Sequence, residues 1–236
     1  MNLDLLAIAA HPDDVELTCG GTLLKMAQAG YKTGILDLTA GEMGTLGTPE
    51  TRAKEAALAA RILKVKYRGT LGVPDSDVQA LRPHKLRLAT VIRELRPRTV
   101  IIPFWEARHP DHYNASTLCY EGCFLAGLKQ LPIEGEPFRP HKIVYSTAFT
   151  TVRPTFVVDI TAQFAQRAKA IQAFHSQFKG TSRKRKVFLA IDRLEDEMNQ
   201  LARHYGEMIG VRYGEPFLQK EMMKVTDVVE MEVRSI

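Results

Sequence analysis

The amino-acid sequence predicts an α/β fold of the Rossmann-like, doubly wound kind: a mostly parallel sheet with helices on both faces and an extra C-terminal layer. Three observations carry the prediction. Apolar runs of strand length alternate with stretches that show the three-to-four-residue apolar spacing of amphipathic helices. Two of those runs end abruptly in clusters of His and Asp, at the point where loops leaving a parallel sheet diverge and form a crevice. At 236 residues and 45% hydrophobic composition the chain can bury one sizeable core, so residues 1–236 are expected to form a single domain.

Taken in order, the run from Leu5 up to His11 is the first strand, Gly21 to Ala29 a helix stopped by Gly30, and Lys32 to Thr39 the second strand. The Gly-rich loop Ala40 to Thr48 leads into a helix that begins at Pro49, since proline is preorganised for a first helical turn, and continues through Arg52 to Leu63. Tyr67 to Leu71 is a third strand. The helix from Pro83 to Leu95 must end before Pro97, which disfavours helix at the residue preceding it. Thr99 to Pro103 supplies the fourth strand and Tyr113 to Gly127 the next helix. Leu131 to Pro140, rich in Pro and Glu, reads as an exposed loop with the character of a lid. Lys142 to Ser146 and Thr155 to Ile160 are late strands. Phe164, Ala168, Ile171 and Phe174, then Val187, Ile191, Leu194, Met198 and Leu201, mark two amphipathic helices whose apolar stripes are core.

Composition narrows the function classes. No apolar run reaches membrane-spanning length and Met1 to Asp4 lacks the basic flank of a signal peptide, so a cytoplasmic protein without membrane contact is expected. Cys19, Cys119 and Cys123 are an odd number and fit small buried hydrophobes better than disulfides. The net charge of +5 raises the question of nucleic acid. Its one basic run, Arg183 to Lys186, is short and has no interleaved aromatics, so a solvated helix face is expected and a nucleic-acid partner is not. A mild positive field instead favours an anionic small substrate.

The chemistry concentrates in Ala10-His11-Pro12-Asp13-Asp14-Val15-Glu16. An imidazole and adjacent carboxylates repel phosphate, which excludes a dinucleotide fingerprint, and they suit zinc or iron better than magnesium. On this segment alone, capping of a strand and a helix explains the residues equally well. The echo His109-Pro110-Asp111-His112 after the fourth strand breaks the tie. If both strands share one parallel sheet, their carboxyl ends lie on one edge, and His11, Asp14 and His112 converge as three ligands. Three protein ligands with a position left open is the pattern of catalytic zinc.

At this point the chain resembles the LmbE-like, or PIG-L, zinc-dependent N-deacetylases of N-acetylglucosamine derivatives. The matching segments are AHPDDVE, Gly20-Gly21, TAGEMGT at Thr39 to Thr45, TRAKEA at Thr51 to Ala56, LGVPD at Leu71 to Asp75, and HPDH. PTFVVDIT from Pro154, FHSQF from Phe174 and IGVRYGEPF from Ile209 are similar to the branch that deacetylates N-acetylglucosaminyl malate in bacillithiol biosynthesis. The resemblance implies an acetylated amino-sugar substrate bound by Arg52 and Asp75, with Glu42 beside them, and a homo-oligomer.

With zinc as cofactor, or iron in the cell, the ligand set implies water activation and a polarised amide carbonyl. Asp13, adjacent to a ligand but pointing elsewhere, is free to act as general base and to return a proton to the leaving amine. His109 is expected to stabilise the oxyanion as an imidazolium. Asp111 is expected either to hold that ring or to support a metal ligand. Arg108, Arg139 and Arg153 are candidates for reading an anionic group. The rival readings are an iron oxygenase triad, a bacillithiol S-conjugate amidase, a deacetylase of chitin-type sugars, and a metal-dependent sugar-binding module without catalysis.

Overall fold

The computed structural model describes residues 1–147, 150–178 and 191–233. The apolar runs form β1 (Leu5–Ala9), β2 (Thr33–Asp37), β3 (Tyr67–Thr70), β4 (Thr99–Pro103), β5 (Lys142–Ser146), β6 (Phe156–Asp159) and β7 (Gly214–Leu218). Between them lie α1 (Asp14–Gln28), α2 (Pro49–Ile62), α3 (Arg82–Leu95), α4 (Pro110–Ala126), α5 (Phe164–Gln172), the single turn α6 (His175–Phe178) and α7 (Ile191–Glu207). The basic run Arg183 to Lys186 and the expected helical position Val187 lie outside the described residues.

The sheet order is β3-β2-β1-β4-β5-β7-β6, with every pairing parallel except those of β7. Strand alternation divides the core into two layers. Leu6, Ile8 and Ala10 face α3 and α4, while Leu5, Ala7 and Ala9 face α1, α2 and α5. Burial on both faces explains why β1 is apolar at every position instead of alternating. Cys119 and Cys123 pack as small apolar groups in the first layer, and all three cysteines are free and buried. The strand order reverses between β1 and β4, and the two His-Pro-Asp segments leave those neighbouring strands at the same edge.

The C-terminal third lays α5 over α1 and α2 and extends the sheet with β6 and β7. In register, Phe217 lies opposite both Ser146 and Phe156, so Gly214 and Asp159 project past the carboxyl end of β5. The strand β7 is one that sequence reading passes over, because Gly214, Glu215 and Pro216 are poor strand formers. Pro216 is tolerated because the β5 ladder ends at Phe217, leaving its missing N–H without a ladder partner to lose.

Two expectations change. The helix expected from Gly21 begins at Asp14 and is broken at Cys19, whose φ of −146° is not helical. Glu215 caps the second half: its carboxylate accepts from the backbone N–H groups of Gly21 and Thr22 and from the Thr22 hydroxyl. Arg167 donates to the Glu16 and Leu17 carbonyls that end the first half, and its Nε lies 3.0 Å from Glu215. A Cβ at Gly21 would stand 2.9 Å from Glu215 Oε1, which is why glycine occupies that position. The second change concerns Leu131 to Pro140, which is no lid over the crevice. It follows the C-terminal end of α4, at the opposite edge of the sheet, where buried Arg93 donates to the carbonyls of Ala126, Leu128, Ile133 and Gly135.

Candidate metal centre and active site

His11 leaves β1 just beyond its last paired residue, and His112 lies in the first turn of α4. The side chains converge with Asp14 in a nearly equilateral triangle. His112 Nε2 lies 3.2 Å from Asp14 Oδ2 and 3.3 Å from His11 Nδ1, and His11 Nδ1 lies 3.4 Å from Asp14 Oδ2. A tetrahedral ion with N and O ligands at zinc distances requires donor atoms about 3.3 Å apart. The three residues therefore fit such an ion without rearrangement, and one coordination position remains for a non-protein ligand.

The tautomer of His11 is set from behind. Its Nε2 faces Asp75 Oδ1 and Asp111 Oδ2, each at 3.1 Å, so the ring carries its proton there and leaves the Nδ1 lone pair facing the triangle. Asp111 thus supports a ligand with its carboxylate, which also accepts from the N–H groups of Ser76 and Val78. Its own backbone N–H donates to His109 Nδ1, where His109 serves as the N-cap of α4. That bond leaves Nε2 as the proton-bearing nitrogen of a neutral His109, whose ring packs against those of His11 and His112. Burial first, then the neighbouring His11 and His112, hold His109 below its usual range. In the metal-free protein this direction favours a neutral ring over the imidazolium expected from sequence.

Electrostatically the pocket calls for a cation. Burial opposes charge on His11, yet the carboxylates of Asp14 and Asp75 outweigh it and push the imidazole up to about 11. Asp14 is held well below the usual carboxylate range despite burial, because His112 and His11 surround it. Asp75 falls to about 2, chiefly through its hydrogen bond to His11. A divalent ion can replace the protons these contacts otherwise hold.

Asp13 is outside the triangle because its backbone turns. Its φ of 114° and ψ of −27° lie in left-handed space that a residue with a Cβ rarely adopts. Its neighbours tie the turn down: Leu17 N–H donates to Asp13 O, and Arg52 donates to Pro12 O and Gly41 O with its guanidinium 3.5 Å from Asp13 Oδ1. Burial raises Asp13 to about 7; Arg52 opposes that rise and Asp14 adds to it. Gly41, at φ +69°, has no room for a Cβ, which would fall 2.1 Å from the Arg52 guanidinium.

The structure brings together His11, Asp14, His112, Asp13, His109 and Asp111, with Asp75 directly behind His11. Arg52 is only 4% exposed and is committed to the His11–Asp14 turn. Glu42 ties two loops, accepting from the N–H groups of Ala40 and Asp75. Arg139 stacks on Phe124 at the far edge of the sheet, which removes it as a reader of substrate, while Arg108, next to His109 in sequence, and Arg153 are exposed. Sequence reading missed the brace beneath the turn, in which Arg68 pairs with Glu16 and with both oxygens of Asp37. The buried acid in AHPDDVE signals that a partner is needed, but nothing local points to a strand 52 residues away.

Comparisons with known proteins agree with this geometry. A family model described as the PIG-L GlcNAc-PI de-N-acetylase matches residues 6–122, which contain both His-Pro-Asp segments. The chain is 31% identical over 225 residues to a diacetylchitobiose deacetylase of Thermococcus kodakarensis, covering 89% of this chain and 80% of that protein. It is 28% identical over 194 residues to a probable N-acetyl-alpha-D-glucosaminyl L-malate deacetylase 2 of Bacillus anthracis, covering 74% and 81%. The crystal structure of conserved protein TT1542 from Thermus thermophilus superposes with a TM-score of 0.87 at 43% identity, covering 95% of this chain and 98% of that one. Fold, cluster and relatives together show that this chain belongs to the PIG-L, or LmbE-like, family of deacetylases.

Proposed function

We propose that this chain is a zinc-dependent hydrolase that removes acetate from an N-acetylglucosamine derivative, N-acetylglucosaminyl malate in bacillithiol biosynthesis. The observation that carries the reading is the donor triangle with an unligated carboxylate, Asp13, held next to it. Zinc bound by His11, Asp14 and His112 supplies Lewis acidity for the amide carbonyl and for a water molecule.

The rest is done by the chain's own residues. Asp13, raised toward neutral pH, takes the proton of the attacking water and passes it to the departing amine, without which an amide nitrogen is a poor leaving group. The Nε2–H of neutral His109 donates to the developing oxyanion. Asp75 and Asp111 orient His11, and Arg52 holds the turn that aims Asp13. A binding module would need neither a strained Asp13 nor a capped His109, so hydrolysis is the better reading.

The malate conjugate is supported by the segments at Pro154, Phe174 and Ile209, by the relative from Bacillus anthracis, and by the exposed basic side chains Arg108 and Arg153. The stronger match to a diacetylchitobiose deacetylase favours a second reading, a chitin-type disaccharide. Acetate release by metal-stripped protein, with zinc or iron restored, separates them. Metal-dependent turnover that prefers the malate conjugate over diacetylchitobiose is the expected result. The reverse preference keeps the chemistry and changes the substrate; no acetate from either, despite bound metal, removes the deacetylase.

A further inference from the structure

Outside the metal cluster, the ammonium of Lys220, an exposed residue just past the end of β7, lies against three aromatic rings. Its Nζ lies 4.9 Å from the ring centre of Trp105, 5.0 Å from Tyr120 and 5.1 Å from Tyr145. Trp105 also packs on Phe104, at 4.4 Å between ring centres, and meets Tyr145 edge-on at 4.8 Å. Cations are attracted to aromatic faces, to tryptophan most of all. Among the described residues Lys220 makes no ion pair, so the three rings are the contacts its charge makes with the protein.

The rings come from three elements: Tyr145 from β5, Tyr120 from α4, and Trp105 from the loop that joins β4 to α4. That loop ends at His109 and contributes Glu106 and Ala107 to the crevice beside Asp14 and His112. Past Phe104, its next three residues lack backbone anchors among the described residues. Phe104 N–H donates to Ser146 O at 2.9 Å, but among the described residues the backbone N–H groups of Trp105, Glu106 and Ala107 donate to nothing. A segment without ladder or turn bonds depends on its side chains, and Trp105 is one of those that are held, beside Phe104 in the core.

We propose that Lys220 is a positioning residue: through the box of Trp105, Tyr120 and Tyr145 it fixes the β4–α4 loop in the geometry that presents His109 to the metal centre. The consequence for turnover rests on the deacetylase reading above; the hold on the loop does not. Trp105 is the only tryptophan of the chain, so its fluorescence reports on the box directly.

The test compares metal-loaded wild type with Lys220→Met, which keeps the apolar stem and loses the charge, and with Lys220→Arg, which keeps a cation over the rings. Acrylamide quenching of Trp105 is expected to rise about twofold in Lys220→Met and to return in Lys220→Arg. In parallel, kcat is expected to fall about tenfold with KM within about twofold, because the loop serves the transition state more than sugar binding. Tyr120→Leu removes one half-exposed wall and should move both readouts the same way by less; it decides the matter if Lys220→Met does not fold. Unchanged quenching overturns the proposal, whatever happens to kcat. A loss that arginine fails to restore overturns the cation's part in it. A wild type that deacetylates nothing removes the proposed function while the quenching comparison still decides the hold on the loop.

Discussion

Asp13 is the residue at which fold and chemistry pull in opposite directions. A left-handed conformation at a non-glycine residue costs on the order of 1–3 kcal/mol, and burial raises the carboxyl from 3.8 to about 7. The sign of the pH effect follows. Between about pH 4 and 7 the folded state holds a proton on Asp13 that the unfolded chain has released, so this group's contribution to stability is lost as pH rises through that window. Asparagine is neutral throughout and tolerates left-handed backbone better. Metal-free Asp13→Asn is therefore expected to melt higher than metal-free wild type at pH 8, with a smaller difference at pH 5. With metal restored, its turnover should fall by at least about 100-fold. Thermal melts of chelator-stripped protein at the two pH values, paired with acetate release, check both halves. A variant that melts lower at pH 8 would show that Asp13 carries no such strain, and full turnover would remove it as the base.

At the scale of elements, α1 works because it is broken. The first half carries the candidate ligand Asp14 and the second packs as a core helix; Arg167 and Glu215 terminate the two halves against each other. Glu215→Ala would leave two buried N–H groups and the Arg167 charge without their partner, a loss of about 3–5 kcal/mol that a shifted urea midpoint would report. A loss below about 1 kcal/mol would mean that water replaces the cap. Neither half of this device is legible in sequence. Gly20 and Gly21 advertise a helix start, and Gly21 is indeed where the second half is capped, but the partner of Gly21 is 194 residues away. The strand that carries that partner reads as loop because of Gly214 and Pro216. By contrast β1, β4 and the candidate metal cluster are legible, because a strand buried on both faces is an unbroken apolar run and the His-Pro-Asp segment after one strand is echoed after the other, which capping alone does not require. Arg52 and Asp75 show the limit of resemblance. It predicts that they matter, but only coordinates show Asp75 holding the ring of His11 and Arg52 holding the turn of Asp13.

For the whole molecule the open question is what the positive charge does. The candidate metal centre gathers carboxylates, yet the chain carries a net charge of +5, to which exposed Arg108 and Arg153 contribute. Exposed charges act over about 10 Å at 0.1 M salt and are screened beyond that, so their effect on an anionic substrate must weaken as salt is added. A neutral disaccharide feels no such field. Raising NaCl from about 20 to about 500 mM is therefore expected to lower kcat/KM several-fold for the malate conjugate and by less than about twofold for diacetylchitobiose. Measuring both sugars in one salt series isolates the field from any salt effect on the metal centre, which would lower the two rates together. A flat response for both would confine recognition to short-range contacts and leave the net charge without a part in catalysis. A fall specific to the malate conjugate that disappears in an Arg108→Gln, Arg153→Gln double variant would assign the field to those two side chains.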